Sequence, residues 1–413
     1  MKKNSILVAL IGARMHYAVP TFLDKNSLLK FLYTDLYFNN STINKIHKIN
    51  PKIANKLSLR SNNEIEDKKI IPLSNFGLIY KIRKKLTKTF KLNLGVLWVW
   101  AGSNFNKKII SSLKRNNDLP EIIFGYNSAS KELFQFAKEN NIKTVLEQCS
   151  APMIYENKIM SEEYLNFKDW EIDLFKNNLK SKKFIHREEE EWELADLIVV
   201  PSKYVKNALI SSNVSESKIK IVPYGYNANL NNIKPNFIKK AKLNILFVGG
   251  LRLQKGIQYF YELSKKCSDQ NFNFRAVGES YLNVNTIDHI SKKLEIIGKV
   301  ARDKMHEQYE WADILVVPSL SEGSATVIYE SLSYGVPIIC TKNSGSVIKD
   351  GEEGYIVEIR DVDTIIIKLK HLYNNQEKLT KLSENCLKTS LEYTVDNYGN
   401  KLISNIKNTF YKD

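Results

Sequence analysis

The feature that most narrows the fold of this chain is a rhythm. Short runs that are apolar throughout alternate with longer amphipathic stretches. In the first half the runs are SILVALIG (5–12), EIIFGY (121–126), KTVLEQ (143–148) and ADLIVVPS (195–202). In the second half they are LNILFVGG (243–250), FNFRAVG (272–278), LEIIGKV (294–300), ADILVVPS (312–319) and GVPIICT (335–341). A strand that is apolar on both sides must be covered on both sides, and helices between the runs supply the cover. The pattern predicts an α/β chain with parallel sheets wound by helices on either face.

The chain has 413 residues. At about 150 residues per domain that length asks for two or three cores. ADLIVVPS and ADILVVPS are near-duplicates 117 positions apart, so each half carries the same kind of strand running into the same kind of turn. Between them, residues 221–242 hold Pro223, Gly225, a cluster of asparagines and Pro235, the composition of a linker. The expected division is a first domain over 1–225, a second over 226–390, and a helical tail over 391–413.

Composition excludes several classes. Hydrophobic content of 43% and charged content of 26% are those of a folded globular chain, not a disordered one. Cys149, Cys267, Cys340 and Cys386 are far apart and lack Cys-x-x-Cys spacing, which predicts free thiols rather than a disulfide framework or zinc site. The first apolar run spans about six residues and is followed by Gly12 and Arg14, so it reads as a buried strand and not as an export signal. No run approaches the ~18 apolar residues of a membrane span. A cytoplasmic protein is expected.

A net charge of +16 favours anionic partners: nucleotides, nucleic acid or an acidic membrane surface. The basic run YKIRKKLTKTFK (80–91) has two readings. Ile79, Ile82, Leu86 and Phe90 share a helical face. That stripe either packs on its own domain, the ordinary arrangement for a surface helix, or lies on a membrane.

Three stretches carry candidate chemistry. In SEGSATVIYESLSYGVPII (321–339) a loop follows a strand, a helix is expected from about Thr326 to Tyr334, and Gly335 stands in the C-terminal capping position. Ligands of open parallel sheets bind at the carboxyl ends of strands, where that loop falls. Gly323, Ser324 and Ala325 are small enough for a ligand to approach the backbone. Glu322 precedes the helix and Glu330 lies within it; alone, the pair also reads as a helix-start charge and a solvated acid. In ILFVGGLRLQKGI (245–257) a strand runs into Gly249 and Gly250, then Arg252, Lys255 and Gly256. The cations suit phosphate, but the residue order is not that of a P-loop. In IGARMHY (11–17), Gly12 offers backbone approach, and Arg14 and His16 are candidates to face a cleft.

Together these stretches resemble the retaining glycosyltransferases of family 4, the group 1 glycosyl transferases with the GT-B fold. EGSATVIYE is similar to their E-x7-E signature. FVGGLRLQKGI, ADLIVVPSKYVKNAL, IVPYGYN and the stretch from IIGKV to YGVPIICT extend the likeness over about 190–360. The resemblance implies two Rossmann-like domains facing across a cleft, with C-terminal helices returning to the first. It implies transfer of a hexose-type sugar from a nucleotide-diphosphate donor, with retention and without a metal or other cofactor. The acceptor would be a glycan or a lipid-linked saccharide of cell-surface polysaccharide synthesis. Glu322 would act at the donor sugar's hydroxyls, with His16 a second catalytic candidate. Glu330 would meet the ribose, Lys255 and an arginine the diphosphate, and the amides of Gly323, Ser324, Ala325 and Thr326 the sugar and diphosphate. Gly12, Gly249 and Gly250 would line the donor, and the base would rest near Val300.

Two positions depart from the family pattern. Gly250 stands where a phosphate arginine is usual, leaving Arg252 to serve, and Tyr126 stands on the acceptor side where many members have histidine. The competing expectation is a basic GT-B-like protein that binds nucleic acid or an anionic membrane without catalysis. Nucleic acid is not the expected partner, because no RNA-recognition aromatic pattern or zinc spacing occurs. Peripheral contact with the inner face of the plasma membrane remains an expected partner surface.

Overall fold

The computed structural model describes residues 5–90, 92–171, 181–227, 240–267 and 271–411. Most of the candidate linker, including Pro235, lies outside them. Among the described residues the strands are β1 (Ile6–Leu10), β2 (Leu29–Thr34), β3 (Ile70–Pro72), β4 (Ile122–Tyr126), β5 (Lys143–Glu147), β6 (Leu197–Val200) and β7 (Ile219–Ile221), then β8 (Leu243–Val248), β9 (Phe272–Val277), β10 (Glu295–Gly298), β11 (Ile314–Val317), β12 (Ile338–Thr341) and β13 (Gly354–Val357). They form two parallel sheets in the orders β3-β2-β1-β4-β5-β6-β7 and β10-β9-β8-β11-β12-β13.

Every residue of β1, β4, β6, β11 and β12 is buried, as strands covered on both faces require. Side chains from β1 and β4 divide between two cores. Ile6, Val8, Leu10, Ile122 and Phe124 face one, while Leu7, Ala9 and Ile123 face the other. The strand order reverses between β1 and β4 in one sheet and between β8 and β11 in the other. Those two switch points are where an open parallel sheet leaves a crevice at its carboxyl edge.

Two helices tie the sheets together. The Val395–Phe410 helix returns to the first sheet, where Tyr398, Leu402, Ile403 and Ile406 enter its core. The Met153–Asn166 helix does the reverse. It follows β5, yet Met160 packs into the core of the second sheet. Its buried Glu163 accepts hydrogen bonds from Tyr259 (2.8 Å), Gln258 (2.9 Å) and the Arg360 guanidinium (2.5 Å).

The basic stretch 80–91 overturns the expectation that its apolar stripe packs on its own domain. The Ser74–Thr89 helix buries Phe76, Gly77 and Thr87, while Ile79, Ile82, Leu86 and Phe90 are 47–67% exposed. The reason is that aromatic rings compete for the inward face. Tyr80 stacks on Phe76 at 6.0 Å, and the Arg83 guanidinium covers Trp100 at 4.1 Å from the ring centroid. Lys91 lies outside the described residues. No helix among the described residues is long and apolar enough to cross a membrane, and no disulfide joins their cysteines.

Candidate active site

The turn after β8 and the loop after β11 leave adjacent strands, since Ile245 and Leu246 pair with Ile314 and Leu315. They are stitched together beyond the sheet: the Leu320 amide donates to the Gln254 carbonyl at 2.9 Å. Gly256 has φ +78°, and a Cβ there would overlap the Pro318 carbonyl, so only glycine allows this approach. The result brings Lys255 and Glu322, 67 residues apart in sequence, into an ion pair. Their side chains are 21% and 13% exposed, so solvent screens the pair only partly. Glu322 also accepts from the Ser319 hydroxyl at 3.2 Å.

The Thr326–Ser333 helix points its amino end at this pair's loop, and Tyr334 and Gly335 (φ +65°) close it, as its sequence predicts. The small residues before it are not all open to a ligand. The Ala325 amide, expected on the diphosphate, donates to the Ser344 carbonyl at 3.0 Å. The Ser324 hydroxyl bonds the Gly345 carbonyl (2.9 Å) and Tyr329 (2.8 Å). Gly323 faces protein: a Cβ there would overlap the Cys149 carbonyl, and its own carbonyl accepts from Ser202 at 2.5 Å. Gly323 is therefore where the second domain presses on the first. Thr326 is exposed at the helix start.

Glu330 sits one turn into the helix with partners of its own. It accepts a 2.6 Å hydrogen bond from Tyr309, whose ring stacks on Tyr334. Burial raises the Glu330 carboxyl above the usual range, opposed by Tyr309 and by the Arg302 charge. A Cβ on Gly249 (φ +151°) would be in ordinary contact with Lys255 and Phe247, 4.0 Å from each, whereas one on Gly250 would press on the Tyr281 ring at 3.0 Å. Val300 follows β10 and is packed against the core of the second sheet.

Arg252 lines a pocket of about 450 Å³ between the domains, together with Ile11, Trp98, Tyr126, Glu156 and Gln254. Here lie the residues that the sequence did not flag. Glu156 accepts from Gln254 (2.8 Å) and Ser321 (3.2 Å), and Tyr204 donates to Ser321 at 3.1 Å. Glu171 accepts from the Leu253 amide. Burial raises the Glu156 carboxyl, opposed first by the Arg252 charge. No local pattern marks these acids, because their partners lie about a hundred residues away in sequence.

On the first-domain side, Met15, His16 and Tyr17 all have positive φ (45°, 52° and 65°). Three such non-glycine residues in succession store strain of about 1–3 kcal/mol each. The loop is held by Arg14, which bonds Tyr224 and approaches Glu147 at 3.5 Å, and by Asn62, which donates to the His16 carbonyl at 3.0 Å. Glu147 is buried, with a raised carboxyl pKa caused by burial, and accepts from Tyr224 (3.2 Å) and Tyr398 (3.3 Å). The Gly12 amide, expected to be open to a ligand, donates to Asp35 at 2.9 Å. His16 is exposed and does not line the pocket; Tyr126 does.

Residues 229–389, which contain the Lys255–Glu322 pair and the Glu330 helix, match the model of the "Glycosyl transferases group 1" family. Over that stretch the chain is similar to the group 1 glycosyltransferases. It is 28% identical to a Klebsiella pneumoniae protein described as an uncharacterized 41.2 kDa protein in the cps region, over 75% of this chain and 83% of that protein. It is 27% identical to the Escherichia coli UDP-Gal:alpha-D-GlcNAc-diphosphoundecaprenol alpha-1,3-galactosyltransferase, over 49% of this chain and about half (53%) of that enzyme. Anabaena HepE, solved in complex with UDP, superposes with a TM-score of 0.63 at 12% identity, covering 98% of this chain and 99% of that one. That likeness establishes the GT-B fold for the described residues of this chain.

Proposed function

We propose that this protein takes a sugar from a nucleotide-diphosphate donor and transfers it, with retention, to a glycan or lipid-linked acceptor in cell-surface polysaccharide synthesis. The observation that carries the donor assignment is the Lys255–Glu322 pair at the switch point of the second sheet. A diphosphate there competes with Glu322 for Lys255. Once it takes the ammonium, Glu322 is released to accept from the sugar's hydroxyls. Lys255, Arg252 and the amino end of the Thr326–Ser333 helix then stabilise the leaving diphosphate without a metal. Glu330 faces the ribose and the base rests near Val300. The donor's anomeric C–O bond breaks, the acceptor oxygen bonds the same face, and its proton passes to the leaving phosphate oxygen.

The acceptor reading is supported by the Escherichia coli relative, a galactosyltransferase named for a diphosphoundecaprenol-linked sugar, and by the cps context of the Klebsiella one. The enzyme works in the cytoplasm at the inner face of a membrane. A thermal-shift panel of nucleotide-diphosphate sugars tests the donor: at about 100 times its dissociation constant a true ligand adds about 2.7 kcal/mol of stability. Transfer or donor hydrolysis is then compared between wild type, Glu322→Ala and Lys255→Ala. Full activity in both variants sinks the assignment.

A further inference from the structure

We propose that the Ser74–Thr89 helix and the start of the Leu94–Asn116 helix form a docking face for an anionic lipid bilayer. The outward row consists of Ile79, Ile82, Leu86, Phe90, Leu92 and Val96, each between 47% and 67% exposed. Soluble surfaces seldom carry such a contiguous apolar row. Around it the charge has one sign. From Lys68 to Asn117 the sequence holds 12 lysines and arginines and no aspartate or glutamate.

The rotation of the helix is fixed. Phe76 and Thr87 are buried, and Arg83 lies over Trp100 and Lys84 over Tyr80 (5.9 Å), so these two cations cover aromatic rings while the apolar row stays uncovered. A merely solvated surface helix buries its apolar stripe, and this one leaves it exposed among its cations. An apolar row bordered by lysines matches the chemistry of a bilayer interface, acyl chains beneath anionic headgroups. A second copy of this chain would set like charges against each other. A nucleic acid would use the cations and leave the apolar row in water.

The face has a functional neighbour. Tyr80, Trp98 and Ala101 of the same two helices line the interdomain pocket, whose far wall carries Arg252 and Gln254. An enzyme seated on the bilayer by this face holds that pocket next to the headgroup layer, where the saccharide of a lipid-linked acceptor lies. Only this last step rests on the proposed function; the docking rests on the surface itself.

The test is sedimentation of the full-length protein with phosphatidylcholine vesicles, with and without phosphatidylglycerol. The variants are Ile82→Ser/Leu86→Ser/Phe90→Ser and Lys81→Glu/Lys85→Glu/Lys88→Glu, all at exposed positions. Wild type is expected to sediment with the anionic vesicles only. Each triple variant is expected to lose at least about tenfold in vesicle affinity, with unchanged unfolding temperature and unchanged hydrolysis of donor in solution. No sedimentation with anionic vesicles overturns the proposal. So does binding that neither variant weakens, or a charge-reversed variant that loses only an RNA oligonucleotide. Vesicle binding without any donor hydrolysis would leave the docking face standing and remove the proposed function instead.

Discussion

Lys255→Ala is the substitution that examines the donor site most closely. In the free protein Lys255 is paired with Glu322, and neither side chain is more than 21% exposed. Removing the ammonium leaves Glu322 with the Ser319 hydroxyl at 3.2 Å as its remaining side-chain partner in the pair's loop. An incompletely compensated carboxylate of this kind costs about 1–3 kcal/mol of stability. On the proposed donor assignment the same substitution also removes a charge-assisted contact to the diphosphate, about 1.5–3 kcal/mol, which corresponds to a roughly 10- to 150-fold fall in kcat/KM. The two losses separate in a double mutant. Adding Glu322→Gln to Lys255→Ala removes the stranded charge, so stability partly returns, with a coupling of about 0.5–3 kcal/mol, while kcat/KM stays low. Urea denaturation and steady-state kinetics on the four proteins measure both. The reasoning is refuted if Lys255→Ala keeps kcat/KM within about threefold of wild type, or if the two stability losses simply add.

Three further outcomes follow from the geometry. Gly323→Ala sets a methyl against the Cys149 carbonyl; an overpacking cost of about 1–3 kcal/mol at the domain contact is expected to lower kcat/KM and to enlarge the particle in small-angle scattering. Glu163→Ala removes the acceptor of Tyr259 and Gln258 and leaves Arg360 with Glu162 at 3.0 Å; it is expected to cost about 1–3 kcal/mol in urea denaturation, with little effect if the Met153–Asn166 helix is not docked there. Burial pushes Glu188 up to about 8, so the folded state holds a proton that the unfolded state releases from about pH 4.5 upward. Stability is therefore expected to fall as pH rises through that window, and Glu188→Gln is expected to flatten the fall; an unchanged slope contradicts it.

The sheets were legible where strands are buried on both faces, because an unbroken apolar run has few other uses. β2 escaped because Lys30 interrupts it; that lysine reaches out of the strand to the Leu119 carbonyl at 3.0 Å. β3 and β7 are three residues each at the sheet edges, too short for a period to show. Of the site, Lys255 and Glu322 were legible because each sits at the end of a recognisable strand, and sheet topology does the rest. Glu156, Glu171 and Glu163 were not. Glu156 and Glu163 sit in the helix that follows a first-sheet strand and Glu171 lies just beyond it, and nothing local reveals that this segment crosses to the second domain. The helical face of Ile79, Ile82, Leu86 and Phe90 was found correctly, but its direction depends on Trp100 and Phe76 capturing the inward side.

The most direct measurement is a structure of the protein bound to the nucleotide-diphosphate sugar that shifts its unfolding temperature most. The account places the diphosphate between the 249–256 turn and the amino end of the Thr326–Ser333 helix, with Lys255 turned from Glu322 onto a phosphate oxygen. A diphosphate bound elsewhere, with the Lys255–Glu322 pair intact, would contradict it.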